Sequence, residues 1–238
     1  MNQESVSNVL HKKLKRIIDN SEPDEKLPSE PELAKQLNVS RATLREAMRT
    51  FETQGMLRRL QGSGTFVTHP KNIIESGLEV LESIERIAER IGLPVSFGAL
   101  EIDRRIASDD ETSIFNISPN DQVISIARVI LLENRPVAYL IDTLPKNIIA
   151  PDELEKGFTG SILDLLLQHG EPRLTTSKTE INAVPASSKV SRALNIQRGD
   201  VLLSFTADLY SEDGRIINHS YSYFLPGYFR FHVVRKVT

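Results

Sequence analysis

Two short helix patterns followed at once by a glycine-tipped hairpin, all between Leu27 and Val67, constrain this chain more than any other feature. Ser29 stands before Glu30-Pro31-Glu32, an N-cap followed three residues later by a glutamate, and the apolar Leu33, Ala34 and Leu37 then recur at helical spacing. Asn38-Val39 reads as a tight turn, and Ser40 offers a second N-cap. In the next helix Leu44, Ala47, Met48 and Phe51 share one face. Arg41, Arg45 and Arg49, four residues apart, therefore form a ridge on the opposite face, with Thr43 near the helix start. After Gly55, Met56–Leu60 and Thr65–Val67 read as strands around the turn Gln61-Gly62-Ser63-Gly64. Upstream, Val6, Val9, Leu10, Leu14, Ile17 and Ile18 make an amphipathic helix that supplies the third side of a small core. The order predicts a winged helix-turn-helix, whose second helix enters the DNA major groove.

Charge sharpens that reading. The whole chain of 238 residues has a formal net charge of −3, but residues 1–67 hold 11 Lys+Arg against 9 Asp+Glu, net +2, and the remainder is net −5. Affinity for DNA must then come from placed arginines and from two copies acting together, because the bulk field is weak. Zero cysteines exclude disulfides, thiolate metal sites and cysteine nucleophiles, and fit a reducing cytoplasm. No apolar run approaches the roughly 18 residues of a membrane span, which predicts a cytoplasmic chain without membrane contact.

Beyond the hairpin, Thr68-His69-Pro70-Lys71 reads as a hinge, and Ile73 to Ile91 as a helix with Leu78, Leu81, Ile84, Ile87, Ala88 and Ile91 on one side and Glu79, Glu82, Glu85, Glu89 and Arg90 on the other. Past Pro94 the pattern changes to strands with inserted helices. Strands are predicted over Ser96–Ile106, Gln122–Leu132, Val137–Asp142, Leu174–Val184, Val201–Leu209 and Ile216–Phe224, and helices over Asp110–Phe115, Ser161–His169 and Ala186–Leu194. The fold class is therefore α+β, with a largely antiparallel sheet. The expected division is a DNA-binding domain over 1–68, a linker over 69–79 and a second domain over 80–238.

The stretch LPSEPELAKQLNVSRATLREAMRTFETQGMLRRLQGSGTFV resembles the DNA-binding domain of the GntR family of bacterial transcription regulators, nearly end to end. The resemblance implies that Ser29, Arg41, Thr43 and Arg45 contact DNA from the two helices, and Gln61, Gly62 and Gly64 from the wing. Ser40, Arg49 and Ser63 complete the candidate set by position. Pro31 departs from the family, which often carries arginine there, so one contact is expected to be missing and the operator to differ.

The second half resembles the UTRA effector domain, a chorismate-lyase-like fold that marks the HutC branch of that family. The likeness rests on Ile126-Ala127-Arg128 with Arg135-Pro136-Val137, Leu144-Pro145, Gly160-Ser161-Ile162-Leu163, Ala193-Leu194 with Gly199-Asp200, and Gly214 to Phe231. In phosphosugar-binding members two arginines on one strand hold the anion, a helix-start serine donates to it and a late-strand glutamate accepts sugar hydroxyls. Here those positions are Arg128, Ile130, Ser161 and Asn218. With one cation replaced by Ile130 and the glutamate by an amide, a smaller anion or a neutral polar or amphipathic effector fits better. Asp142 is a candidate carboxylate partner for Arg128, and Tyr223 a candidate cover for a flat ligand.

Enzyme signatures are missing. His11, His69, His169, His219 and His232 show no metal-binding spacing, no Walker, dinucleotide or G-x-S-x-G motif occurs, and neighbouring His219 and Ser220 point to opposite faces of a strand. The implied protein is a non-enzymatic repressor that binds a pseudo-palindromic operator as a homodimer, needs no cofactor or metal, and is released by a small-molecule effector. The rival expectations are an enzyme carrying its own DNA-binding head, and a regulator switched by a protein partner.

Overall fold

The computed structural model describes residues 6–53, 55–60, 62–68, 73–150, 153–154, 158 and 160–237. Packing divides the chain into two compact units. One holds residues 1–73 with 185–201 and 225–229; the other holds 74–184 with 202–224 and 230–238.

In the first unit α1 (Val6–Asn20), α2 (Glu30–Leu37) and α3 (Arg41–Thr53) precede β1 (Leu57–Leu60) and β2 (Gly64–Val67). One face of each helix supplies the core. Leu10, Leu14 and Ile18 meet Leu33, Ala34, Leu44, Met48 and Phe51, and the hairpin closes the cluster with Leu57 and Val67. The turn between α2 and α3 works because Asn38 takes a left-handed conformation and its N–H donates back to the end of α2. β1 and β2 pair antiparallel, Leu60 opposite Gly64, and Gly62 at the tip has φ +78°. Only glycine adopts that conformation without strain. A feature absent from the sequence reading widens the hairpin: Leu27 donates to Thr65 and Val67 to Glu25, so the segment before α2 lies along β2 as a third, irregular edge. The unit also holds a later helix, Ser188–Leu194, capped by Ser187.

The second unit is built on β3 (Ile74–Gly77), α4 (Ile84–Arg90), β4 (Val95–Ile106), α5 (Asp109–Phe115), β5 (Gln122–Leu132), β6 (Arg135–Pro145), α6 (Ile162–His169) and β7 (Leu174–Pro185). After the capped helix Ser188–Leu194, here α7, come β8 (Val201–Ser211), β9 (Ile216–Phe224) and β10 (Phe229–His232). Six strands form one sheet in the order β4-β5-β6-β9-β8-β7. The ladders β4–β5, β5–β6, β6–β9 and β9–β8 run antiparallel. α6 lies over one face, where Ile162 and Leu166 join Ile124, Ile126, Leu144 and Leu209. Phe115 of α5 packs with Ala107 and Val123. β5 and β6 are buried along most of their length on both faces and read as near-continuous apolar runs, so the charged residues in mid-strand, Arg128 and Asp142, are largely withdrawn from water.

One predicted element is corrected. The expected helix Ile73–Ile91 is instead β3, paired with β10, followed after an irregular stretch by α4 alone. Pairing with a distant strand decides the first part, seen also in Leu78 N–H donating to His232. Ser83 decides the second by capping Arg86 N–H and so fixing the helix start. Of the segment read as hinge and linker, residues 69–72 lie outside the described residues. β6 also runs longer than the predicted Val137–Asp142.

Candidate functional site

At the start of α3 in the first unit, Ser40 caps the helix by accepting from Thr43 N–H at 3.1 Å, and the two hydroxyls lie 2.8 Å apart. Thr43 is thereby fixed at the helix start. Arg41 and Arg45 project from the next turns, more than half exposed, and both lean on one carboxylate: Arg45 Nε is 2.7 Å and Arg41 Nη2 3.9 Å from Glu30 Oε2. Arg59 of β1 reaches the other Glu30 oxygen at 3.0 Å and Glu52 at 3.3 Å. One carboxylate thus gathers three guanidinium groups without neutralising them, and the surplus is positive. Arg49, further along the ridge, pairs loosely with Glu46 at 3.4 Å. Ser29 donates from its N–H and hydroxyl to Glu32, which orders the start of α2. At the wing tip Gly62 and Ser63 are exposed, while Gly64 begins β2. Gln61 lies outside the described residues. Sequence reasoning passed over Glu30 and Arg59; their signal was only that a carboxylate near the first helix start and an arginine in the wing could converge in three dimensions.

The second unit carries a buried polar cluster. β5 and β6 place Arg128 and Asp142 on the same face of the sheet, in register with Leu140 and Ile126 respectively, and Arg128 Nη1 donates to Asp142. From β9, Asn218 Nδ2 donates to the other Asp142 oxygen at 2.8 Å. All three side chains are over nine-tenths buried. Arg128, Asp142 and Asn218 are therefore brought together, with the ion pair that the sequence offered as a partner for Arg128. Ser161 is buried at the start of α6, its hydroxyl engaged as the helix cap on Asp164 N–H at 3.0 Å. Asp164 in turn accepts from Ser83 at 2.6 Å and pairs with Arg86 Nε at 2.6 Å, tying α6 to α4.

Tyr223 does not join them. Asp142 pairs with Ser220, so alternation along β9 sends Tyr223 to the opposite face, opposite Tyr139. There burial, with smaller contributions from Tyr221 and Tyr139, pushes its phenol pKa up.

The residue that sequence reasoning misassigned is Glu85. Read as part of a polar outer face of a long helix, it sits in the first turn of the shortened α4, with Oε1 3.9 Å from Arg128 Nε. Both carboxylate oxygens are buried and neither accepts a hydrogen bond from another residue. Burial pushes its pKa up, Arg128 opposes the shift, and Asp164 and Asp142 add to it. Within the same cluster Arg128 Nε, Asn218 Oδ1 and Asp164 Oδ1 are also buried without a hydrogen-bond partner, although Asp164 Oδ1 lies in ion-pair range of Arg86. Among the described residues no group of three or more His, Cys, Asp or Glu could hold a metal ion.

Residues 90–230 match the UTRA domain, and residues 7–67 match "Bacterial regulatory proteins, gntR family". The chain belongs to the GntR family. It is a DNA-binding transcription regulator of the HutC type, with a helix-turn-helix domain and an UTRA domain, rather than an enzyme. This GntR regulator is 29% identical over 211 residues to the HTH-type transcriptional repressor NagR of Bacillus subtilis, covering 88% of this chain and 86% of that one. It is 30% identical over 191 residues to the histidine utilization repressor of Pseudomonas putida, covering 78% and 74%. Its fold resembles the crystal structure of PhnF from Mycobacterium smegmatis with a TM-score of 0.64 at 20% identity, covering 96% of this chain and all of that one. No helix among the described residues is long and apolar enough to cross a membrane.

Proposed function

We propose that this regulator is a cytoplasmic repressor that binds a pseudo-palindromic operator as a homodimer and leaves it when a small molecule binds the UTRA domain. The observation that carries the reading is the surplus of guanidinium charge around Glu30, with the exposed Arg41 and Arg45 on α3 and the half-buried Arg59 on β1. Arg45 and Arg41 read bases, and Thr43 and Ser40 hold the helix start against the backbone. On DNA, Arg41 and Arg45 exchange a shared carboxylate for a base edge or a phosphate, which costs little for side chains that are more than half exposed. One head makes too few contacts for regulator-grade affinity, so two heads on one operator gain by linkage. The roles divide between a reading domain over 1–68 and an effector and dimerisation domain over 80–238; the expected connection over 69–79 narrows, because Ile74–Gly77 is a strand of the second unit, and residues 185–201 and 225–229 group by packing with the first.

The effector binds at Arg128, Asn218, Asp142 and Ser161, and it acts by favouring one placement of the two heads over the other. Support comes from the unsatisfied Arg128 Nε and Asn218 Oδ1, because buried polar atoms are rarely left without partners. The test begins with duplexes enriched on the full-length protein from a random-sequence pool. A two-fold-symmetric consensus bound by two copies is expected. An asymmetric consensus bound by one copy removes the dimer reading.

A further inference from the structure

The polar cluster of the second unit carries an unbalanced charge. Three carboxylates, Glu85, Asp142 and Asp164, face two guanidinium groups, Arg128 and Arg86. Arg128 is engaged by Asp142, and Arg86 by Asp164. Asp142 and Asp164 are further satisfied by Asn218 and Ser83. Glu85 alone has both oxygens buried and unbonded. The surplus negative charge of the cluster therefore rests on one carboxylate.

What surrounds that carboxylate indicates the ligand's chemistry. A Cβ built on Gly160 would lie 3.5 Å from Glu85 Oε1 and 2.9 Å from a ring carbon of Phe97, so the backbone there is bare where the carboxylate and an aromatic ring meet. Phe97 is 39% exposed, and its ring centroid lies 6.2 Å from that of Phe158. A carboxylate beside aromatic rings suits an organic cation, which gains an ion pair from the one and quadrupole attraction from the other. A phosphate meets the reverse. It could reach Arg128 through Nε, which Asp142 leaves unbonded, but Glu85 Oε1 already stands 3.9 Å from that nitrogen, and like charges at such range repel strongly when buried.

We propose that the effector presents an ammonium or amidinium nitrogen to Glu85, with Asn218 Oδ1 as a second acceptor and Phe97 as an apolar wall. This rests on the ligand-switched reading above and names the ligand class for the same site. Burial holds the Glu85 pKa up, and an arriving cation supplies the counter-charge that Arg128, shared with Asp142, does not.

The experiment measures the melting temperature of the full-length protein with benzylamine, agmatine or putrescine, and with inorganic phosphate or glucose 6-phosphate, for wild type, Glu85→Gln and Glu89→Gln. At least one amine is expected to raise the melting temperature of wild type and of Glu89→Gln. In Glu85→Gln the affinity for that amine falls at least about tenfold, the loss of a charge-assisted contact. The ligand-free melting temperature of Glu85→Gln is expected to equal or exceed wild type, because an uncompensated buried charge has gone. Stabilisation by no amine, stabilisation by a phosphate, an amine response that survives Glu85→Gln, or a ligand-free Glu85→Gln that is less stable each overturns the proposal. Operator affinity separates the two readings. A phosphate that stabilises the protein and releases operator keeps the ligand switch and overturns the cation. Glu85-dependent amine binding without any change in operator affinity keeps the site and overturns the switch.

Discussion

The two regions of this molecule use the same pair of groups, arginine and carboxylate, in opposite ways. In the reading head, Arg41 and Arg45, each over half exposed, meet Glu30, whose own side chain is partly covered. In the sheet domain Arg128 meets Asp142 in the centre of a covered sheet, both nine-tenths buried. Water around the first pair makes it weak and exchangeable, which is what a side chain that must change partners on DNA requires. Absence of water around the second makes each member depend on the other, since removing one leaves the other charged and dry. The lesson is that an ion pair's role follows from its solvent access rather than from its residue types.

The largest expected effect tests the buried side. Asp142→Ala should destabilise the protein by about 3–5 kcal/mol in chemical denaturation, the cost of an uncompensated buried guanidinium. A loss below about 1 kcal/mol would show that water reaches Arg128 and would break the contrast. On the exposed side, Arg45→Ala and Arg41→Ala should each weaken specific operator binding by about 1–3 kcal/mol in fluorescence anisotropy while leaving the unfolding midpoint unchanged, with a smaller loss for Thr43→Ala. Unchanged affinity in both arginine variants removes the base-reading role.

Between these extremes lies Glu111, in the first turn of α5. Its pKa is lowered to about 2, first by the two-pronged Arg105 contact and then, against the cost of burial, by Ser108. A carboxylate with a depressed folded pKa stabilises above its unfolded value, near 4.5, and loses that contribution as pH falls through about 2. With Arg105 39% exposed, solvent screening leaves about 1–2 kcal/mol. Glu111→Gln should therefore be less stable than wild type at pH 7 and converge with it on acidification. A constant gap would mean that shape, not charge, sets the difference. The smallest effect is expected for Glu30→Ala, within about 1 kcal/mol in folding and screened by salt. A larger, salt-insensitive loss would move the head's ion pairs into the buried class.

The reading head was legible because its helices are amphipathic over local spacings, and its candidate DNA-contacting arginines sit on the exposed face of one helix. Periodicity therefore separates Leu44, Met48 and Phe51, which are buried, from Arg41, Arg45 and Arg49, which are exposed. The sheet was legible as well, since β5 and β9 fall at the predicted residues. Periodicity failed between Ile73 and Ile91, where apolar residues recur at helical spacing yet Ile74–Gly77 pairs with a strand about 150 residues further on. Local propensity amounts to tenths of a kcal/mol per residue, so a distant partner that buries the segment overrides it.

By itself the sequence determined the family, which arginines face outward and the order of elements apart from Ile73–Ile91 and the last strand, because the elements read correctly show their spacing within a single helix or strand. Only the tertiary structure decided that Glu85 turns inward onto Arg128, that Asp142 is shared by Arg128 and Asn218, and that Tyr223 lies on the other face of the sheet. The physical reason is that a buried charge takes its character from groups brought to it by other elements. Glu85, Asp142 and Asn218 meet only when α4, β6 and β9 pack around the same strand.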